Sequence, residues 1–114
     1  MVLPEFDDGL EDRELADMME NARRATDFLK ALSHEGRLLI LCHLASGERS
    51  VTELEEFLSA RQAAVSQQLA RLREEGLVHA RRDGKTIYYS LGDDRARRMI
   101  ETLYDMFCAP GSVD

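Results

Sequence analysis

The 114-residue chain has no apolar run approaching the ~20 residues needed to cross a bilayer. It does not begin with a basic stretch and an apolar core, so no secretion signal is expected. A soluble cytoplasmic protein with no membrane partner is predicted. There is no glycine-rich phosphate loop, no H-E-x-x-H pair and no nucleophile elbow. Its carboxylates crowd into an N-terminal segment that would not fix a catalytic pair, so no enzyme and no cofactor are expected. Internal repeats and low-complexity tracts are also lacking. Cysteine is scarce: Cys42 and Cys108 are the two present. In a reducing compartment such a pair does not argue for a structural disulfide. Core, metal-ligand and redox roles stay open for it.

Positive charge is in short supply as well. Fifteen Lys and Arg face 22 Asp and Glu, for a net charge of −7, whereas a nucleic-acid binder usually carries a basic footprint. Position resolves the conflict. Within residues 1–20 eight acids stand against Arg13, while within residues 61–91 six bases stand against three acids. The acidic excess is segregated from one basic stretch, and any DNA contact through that stretch should be steeply salt-dependent.

The chain is organised around Gln62 to Gly76. It reads as an amphipathic helix closed by glycine, with Val65, Leu69 and Leu72 on one face. Its other faces carry Gln62, Ala63, Ser66, Gln67 and Gln68 before any charge appears. Amides and hydroxyls bond base edges, and alanine meets a thymine methyl. These five are the predicted base readers. Arg61 and Arg71 flank them as predicted phosphate contacts. A short helix, Ser50 to Leu58, precedes, with Ser50 and Glu53 spaced as a capping box and Val51, Leu54, Phe57 and Leu58 inward. Strand-like runs follow at Leu77–Arg82 and Lys85–Leu91, joined by the hairpin signal Asp83-Gly84. Arg82 and Lys85 near its tip are further predicted phosphate contacts. Of Tyr88 and Tyr89, one should be core and one exposed. Short helix, turn, helix and basic hairpin is the order of a winged helix-turn-helix.

The stretches FLKALSHEGRLLIL and AVSQQLARLREEGLVHARRDGKTIYYSL, with the closing helix, resemble the ArsR family of bacterial repressors over about Thr26 to Phe107. The resemblance implies a mainly α fold with a small β-hairpin: five helices, a two-stranded wing and a homodimer through the first and last helices. The expected division is a mobile acidic arm at 1–12, the DNA-binding and dimerisation domain at 13–109 and a C-terminal tail at 110–114. Arg13 to Ala31 is the first helix, with a broad apolar stripe that suits a second subunit. Ser33 is expected to cap the next helix, His34 to Ala45, whose run Leu38 to Leu44 suits a buried central helix. Arg61 stands where relatives often place a Ser or Thr cap; Ser59 is the substitute expected here, unless the end stays uncapped. Asp93 opens the last helix, where Met99, Ile100, Leu103, Tyr104 and Phe107 form the apolar stripe.

Within that family, the positions of Cys42 and Cys108 are similar to those of the SqrR/BigR group, which senses reactive sulfur. The resemblance implies redox-sensing thiols, with persulfide or polysulfide as inducer, and a repressor that binds double-stranded operator DNA when reduced and releases it when the two are bridged. His43 points about 100° from Cys42 on a helix and is expected at a surface or interface. The family's metal-binding signatures are missing: SVTELEEFL has no Cys or His, and DDRARRMIETLYDMF has no His. No metal site is predicted. The alternatives are a regulator of the same type with packing cysteines, a metal- or peroxide-responsive one, or a helix-turn-helix used as a protein-docking surface.

Overall fold

The structure, a computed structural model, describes residues 11–60 and 62–108; for Gln62 and Ala63 it describes the backbone alone. In chain order it contains α1 (Asp12–Leu32), α2 (Glu35–Leu44), β1 (Arg49–Ser50), α3 (Val51–Leu58), α4 (Gln62–Glu74), β2 (Val78–Asp83), β3 (Thr86–Leu91) and α5 (Asp94–Phe107). The mainly α winged helix-turn-helix is the architecture expected. The sheet differs by one strand. Its order is β1-β3-β2, all antiparallel, with Arg49 opposite Tyr89 and Ser50 opposite Tyr88. Two residues are too short a run to show alternation, which is why the sequence pattern predicted only the β2-β3 pair.

The helix ends explain the element boundaries. Ser50 Oγ accepts from the Glu53 N–H at 3.1 Å and Glu53 Oε1 accepts from the Ser50 N–H at 2.9 Å, the reciprocal capping box expected. At the start of α2 the expectation fails. His34, not Ser33, is the cap: its Nδ1 accepts from the N–H groups of Gly36 and Arg37 at 3.1 and 3.4 Å. An imidazole nitrogen does what a hydroxyl was expected to do, and Ser33 instead ends α1. Ser59 likewise ends α3, in the left-handed region at φ 52°. Beyond α4, Leu77 N–H donates to Leu72 O at 3.0 Å and Gly76 N–H to Arg73 O at 2.9 Å. These two bonds form a Schellman closure with Gly76 at φ 73°. Asp93 caps α5, its carboxylate accepting from Arg95 N–H at 2.7 Å.

The core is Ala31 and Leu32 of α1, Ile40, Leu41 and Leu44 of α2, Leu54 of α3, Val65, Leu69 and Leu72 of α4, then Leu77, Val78, Tyr89, Ala96 and Ile100. It gathers where α2, α3 and α4 meet the sheet. Of the expected inward residues of α3, Phe57 is instead exposed, its ring stacked on His43 with centroids 4.1 Å apart. Nor is α2 buried all round: Leu39 and Cys42 reach solvent. Along α1 only Ala31 and Leu32 are buried, while Leu15, Met19 and Leu29 are exposed; on α5 Tyr104 and Phe107 of the expected stripe are exposed too.

Candidate nucleic-acid interface and thiol groove

The basic half of the molecule is built by α4 and the hairpin behind it. Val65, Leu69 and Leu72 are each 1% exposed or less, so they anchor α4 to the core. At about 100° per residue this turns Gln67 almost directly outward and Ser66 to one flank. Both are exposed. Arg61 lies outside the described residues, as do the side chains of Gln62 and Ala63. Gln68 sits at the edge of the buried face, about 60° from Val65. There Gln68 Oε1 accepts from Arg37 Nη1 at 2.9 Å. Arg71 turns back along its own helix, donating to Glu75 Oε1 at 3.0 Å. Ser66 and Gln67 are thus brought to one outward face, while Gln68 and Arg71 already have protein partners.

The hairpin turn lies one residue later than the sequence signal. Asp83 pairs with Thr86, so the loop is Gly84-Lys85. Gly84 has φ 63° and Lys85 does not have positive φ, the pattern of a type II′ turn with glycine first. Asp83 thereby becomes the last residue of β2. Lys85 occupies the tip. Arg82 and Lys85 are exposed, and neither side chain makes a hydrogen bond or ion pair among the described residues. Arg81 behaves differently. Its Nε and Nη2 donate to both carboxylate oxygens of Glu48, at 3.1 and 2.7 Å. Its guanidinium lies 4.8 Å from the ring centroid of Tyr88, its cross-strand partner. The Arg81 hydrogen bond holds the Glu48 carboxyl below its ordinary value. Tyr89 is the core member of the tyrosine pair, and Tyr88 is half-buried. The Glu48–Arg81 clamp went unread because its partners are 33 residues apart.

On the far side, α2 and α5 enclose an open groove of about 1070 Å³. Leu38, Cys42 and Ala45 form one wall, and Arg98, Tyr104 and Cys108 stand among the residues of the other. Both thiols are free and exposed. Cys42 is therefore no inert core residue. Cys108 forms the cap of α5, its N–H donating to Tyr104 O at 2.8 Å. Burial, and secondarily the Cys108 thiol, push the Cys42 thiol up, so Cys42 tends to keep its proton. His43 does not assist it: Arg49 Nε donates to His43 Nε2 at 3.3 Å, and the ring stacks on Phe57. Arg97 ties the two walls, donating to Ala45 O at 3.2 Å. A smaller groove of about 420 Å³ lies between α1 and α5, lined by Arg24, Phe28, Arg95 and Met99 among others, and Arg98 borders both grooves. No three His, Cys, Asp or Glu side chains converge as a metal set among the described residues, and no described helix is long and apolar enough to cross a membrane.

Known proteins resemble this chain in sequence and in fold. The family pattern described as bacterial regulatory protein, arsR family, matches residues 34–80. The chain is 53% identical over 91 residues to the biofilm growth-associated repressor of Agrobacterium fabrum, covering 77% of this chain and 78% of that protein. Among solved structures, reduced HlyU from Vibrio cholerae superposes with a TM-score of 0.79 at 42% identity, over 82% of this chain and 98% of that one. The transcriptional repressor BigR from Xylella fastidiosa gives 0.76 at 44% identity, over 82% and 96%.

Proposed function

The chain belongs to the ArsR family of bacterial regulatory proteins, and on that premise we propose that it is a cytoplasmic, homodimeric repressor of BigR type that reads operator DNA through α4 and is released by reactive sulfur at Cys42 and Cys108. In this reading Gln62, Ala63, Ser66 and Gln67 face the bases, and Arg61, Arg82 and Lys85 meet phosphates, with Arg71 joining them on release from Glu75. A dimer reads two half-sites about one helical turn apart.

The observation that carries the sensing half is the shared groove: two exposed, free thiols on α2 and α5. Cys108 is assigned the first attack, since burial pushes the Cys42 thiol up and only a thiolate attacks sulfur. The thiolate takes the outer sulfur of an organic persulfide; the S–S bond of the persulfide breaks and RS⁻ leaves, to be protonated to the thiol RSH. Cys42 then attacks the protein persulfide. Attack on its inner sulfur expels hydrogen sulfide and leaves a disulfide; if Cys42 has itself been persulfidated, the same step leaves a trisulfide. Where the Cα atoms stand beyond the ~4.4–6.8 Å that a disulfide requires, only the bridge with added sulfur closes. Peroxide supplies no such atoms, which is the basis for telling the two oxidants apart. Closing the bridge draws α5 against α2 and re-spaces the two α4 helices of the dimer. A difference of ~1–3 kcal/mol between the states corresponds to 5–150-fold release.

Binding to the duplex upstream of its own gene, measured reduced, persulfide-treated, peroxide-treated and with zinc, tests this. Persulfide should release the wild type, and mass spectrometry should find added sulfur between Cys42 and Cys108. Cys42→Ser and Cys108→Ser should both stay bound, Cys42→Ser still carrying a persulfide at Cys108. Normal release of both variants would refute the sensor.

A further inference from the structure

Arg37 stands half-buried in the first turn of α2 and donates in three directions. Its Nε reaches Ala31 O at 2.6 Å and its Nη2 reaches Lys30 O at 3.1 Å, both carbonyls of the last turn of α1. Its Nη1 reaches Gln68 Oε1 at 2.9 Å, in the middle of α4. A guanidinium only donates, so this contact fixes which end of the Gln68 amide faces it. The amide nitrogen then faces His34 Nε2 at 3.5 Å. His34 Nδ1 already accepts two backbone N–H groups, so the ring proton sits on Nε2. Two donors meet there, and the contact is not a hydrogen bond. The Arg37 fork is what holds the amide.

One rigid planar group therefore joins the end of α1 to α4. Such a fork loses little freedom for each bond it forms. Gln68 borders the face of α4 that Val65, Leu69 and Leu72 bury, and the outward Gln67 lies about 100° further round. A pull on Gln68 thus acts on the roll of α4, and the roll decides where Ser66 and Gln67 point.

We propose that Arg37 is a positioning residue for DNA recognition: acting through Gln68, it sets the roll of α4 relative to α1. This rests on the DNA-binding reading above and corrects one part of it, since Gln68 becomes a strut instead of a base reader. Phosphate contacts supply the sequence-independent part of the affinity. A mis-rolled α4 therefore loses discrimination and keeps non-specific binding.

The test is an anisotropy titration of the full chain on the duplex upstream of its own gene and on a scrambled duplex of equal length. It is run at several salt concentrations, with melting followed in parallel. Wild type, Arg37→Met, Gln68→Leu and the double variant are compared. Each single variant should bind the upstream duplex about tenfold more weakly, ~1.4 kcal/mol, with unchanged scrambled-duplex affinity and salt slope. The double variant should lose no more than either single one, the signature of two groups acting as a unit. A salt slope reduced by about one in Arg37→Met would make Arg37 a phosphate contact and overturn the proposal. So would additive losses, or unchanged affinity in both single variants. If Arg37→Met does not fold, Gln68→Leu alone carries the same comparison. A wild type that fails to prefer the upstream duplex sinks the DNA-binding reading and this inference with it; discrimination kept by every variant sinks this inference alone.

Discussion

Leu54, Val65, Leu69, Leu72 and Leu77 in the winged half are enclosed by a single chain, whereas Leu15 and Met19 of α1 and Tyr104, Met106 and Phe107 of α5 stand largely in solvent. The same chemical types meet opposite fates. Enclosure stabilises by about 1.5–3 kcal/mol per large apolar side chain. The winged half realises that within one protomer. The α1/α5 layer leaves it unrealised, and an uncovered apolar face of this kind marks an interaction surface. The halves differ in charge too. Asp12, Glu14, Asp17 and Glu20 sit on α1, whereas Arg71, Arg73, Arg81, Arg82 and Lys85 sit on α4 and the hairpin. Folding of the winged half is thus local, while under the proposed function the spacing of two such halves would depend on what the other layer meets.

The largest effect expected from this contrast is at Leu69, fully enclosed in α4. Leu69→Ala should cost about 2–5 kcal/mol in urea unfolding. If that loss depended on protein concentration, the winged half would not be self-sufficient. At Phe107, 64% exposed, Phe107→Glu should leave the helical spectrum intact and weaken self-association about 10–100-fold in sedimentation, ~1.4–2.8 kcal/mol. Unaltered association would show that α5 is not the contact layer. Operator affinity should fall with it, since two half-sites need two heads.

A smaller effect is expected where the winged half ties up its own charge. Glu48→Gln frees Arg81 from its carboxylate partner. Affinity for the upstream duplex should rise a few-fold and the salt slope should steepen by about one. A flat response would mean that Arg81 never reaches the backbone. The smallest effect concerns Cys42. Because burial and then Cys108 push its thiol up, alkylation of Cys42 should accelerate only above the ordinary thiol value of about 8.5. The sign for folding follows. The raised thiol contributes stability that is full below the unfolded-state value and lost as pH rises through the folded-state one. Cys108→Ser should lower the alkylation midpoint part of the way and no further, because burial, the larger cause, remains.

Local signals were the legible ones. The Ser50/Glu53 box, the Val65–Leu69–Leu72 stripe and the glycine stop at Gly76 each reside within a few residues, and all three stand as expected. The hairpin signal found the turn and missed its centre by one, because Asp-Gly and Gly-Lys satisfy different primed turns equally well and β3 chose the second by pairing Asp83 with Thr86. His34 displaced Ser33 as cap because an imidazole acceptor is seldom counted among capping groups. The Arg37–Gln68 hydrogen bond was not legible, because its partners are 31 residues apart. Phe57 read as core since periodicity does not know that His43 will stack on its outer side. The proximity of Cys42 and Cys108, 66 positions apart in the chain, was legible only through family resemblance; no local rule joins them.

Arg98 borders both the α1/α5 groove and the groove that holds the thiols, so under the proposed function oxidation and association would share a party wall. Equilibria that share a component are reciprocal. Whatever factor a sulfur bridge takes from operator affinity, the operator returns as resistance to bridging. Repressor molecules seated on DNA would then be the last to react, and the unbound pool would sense first.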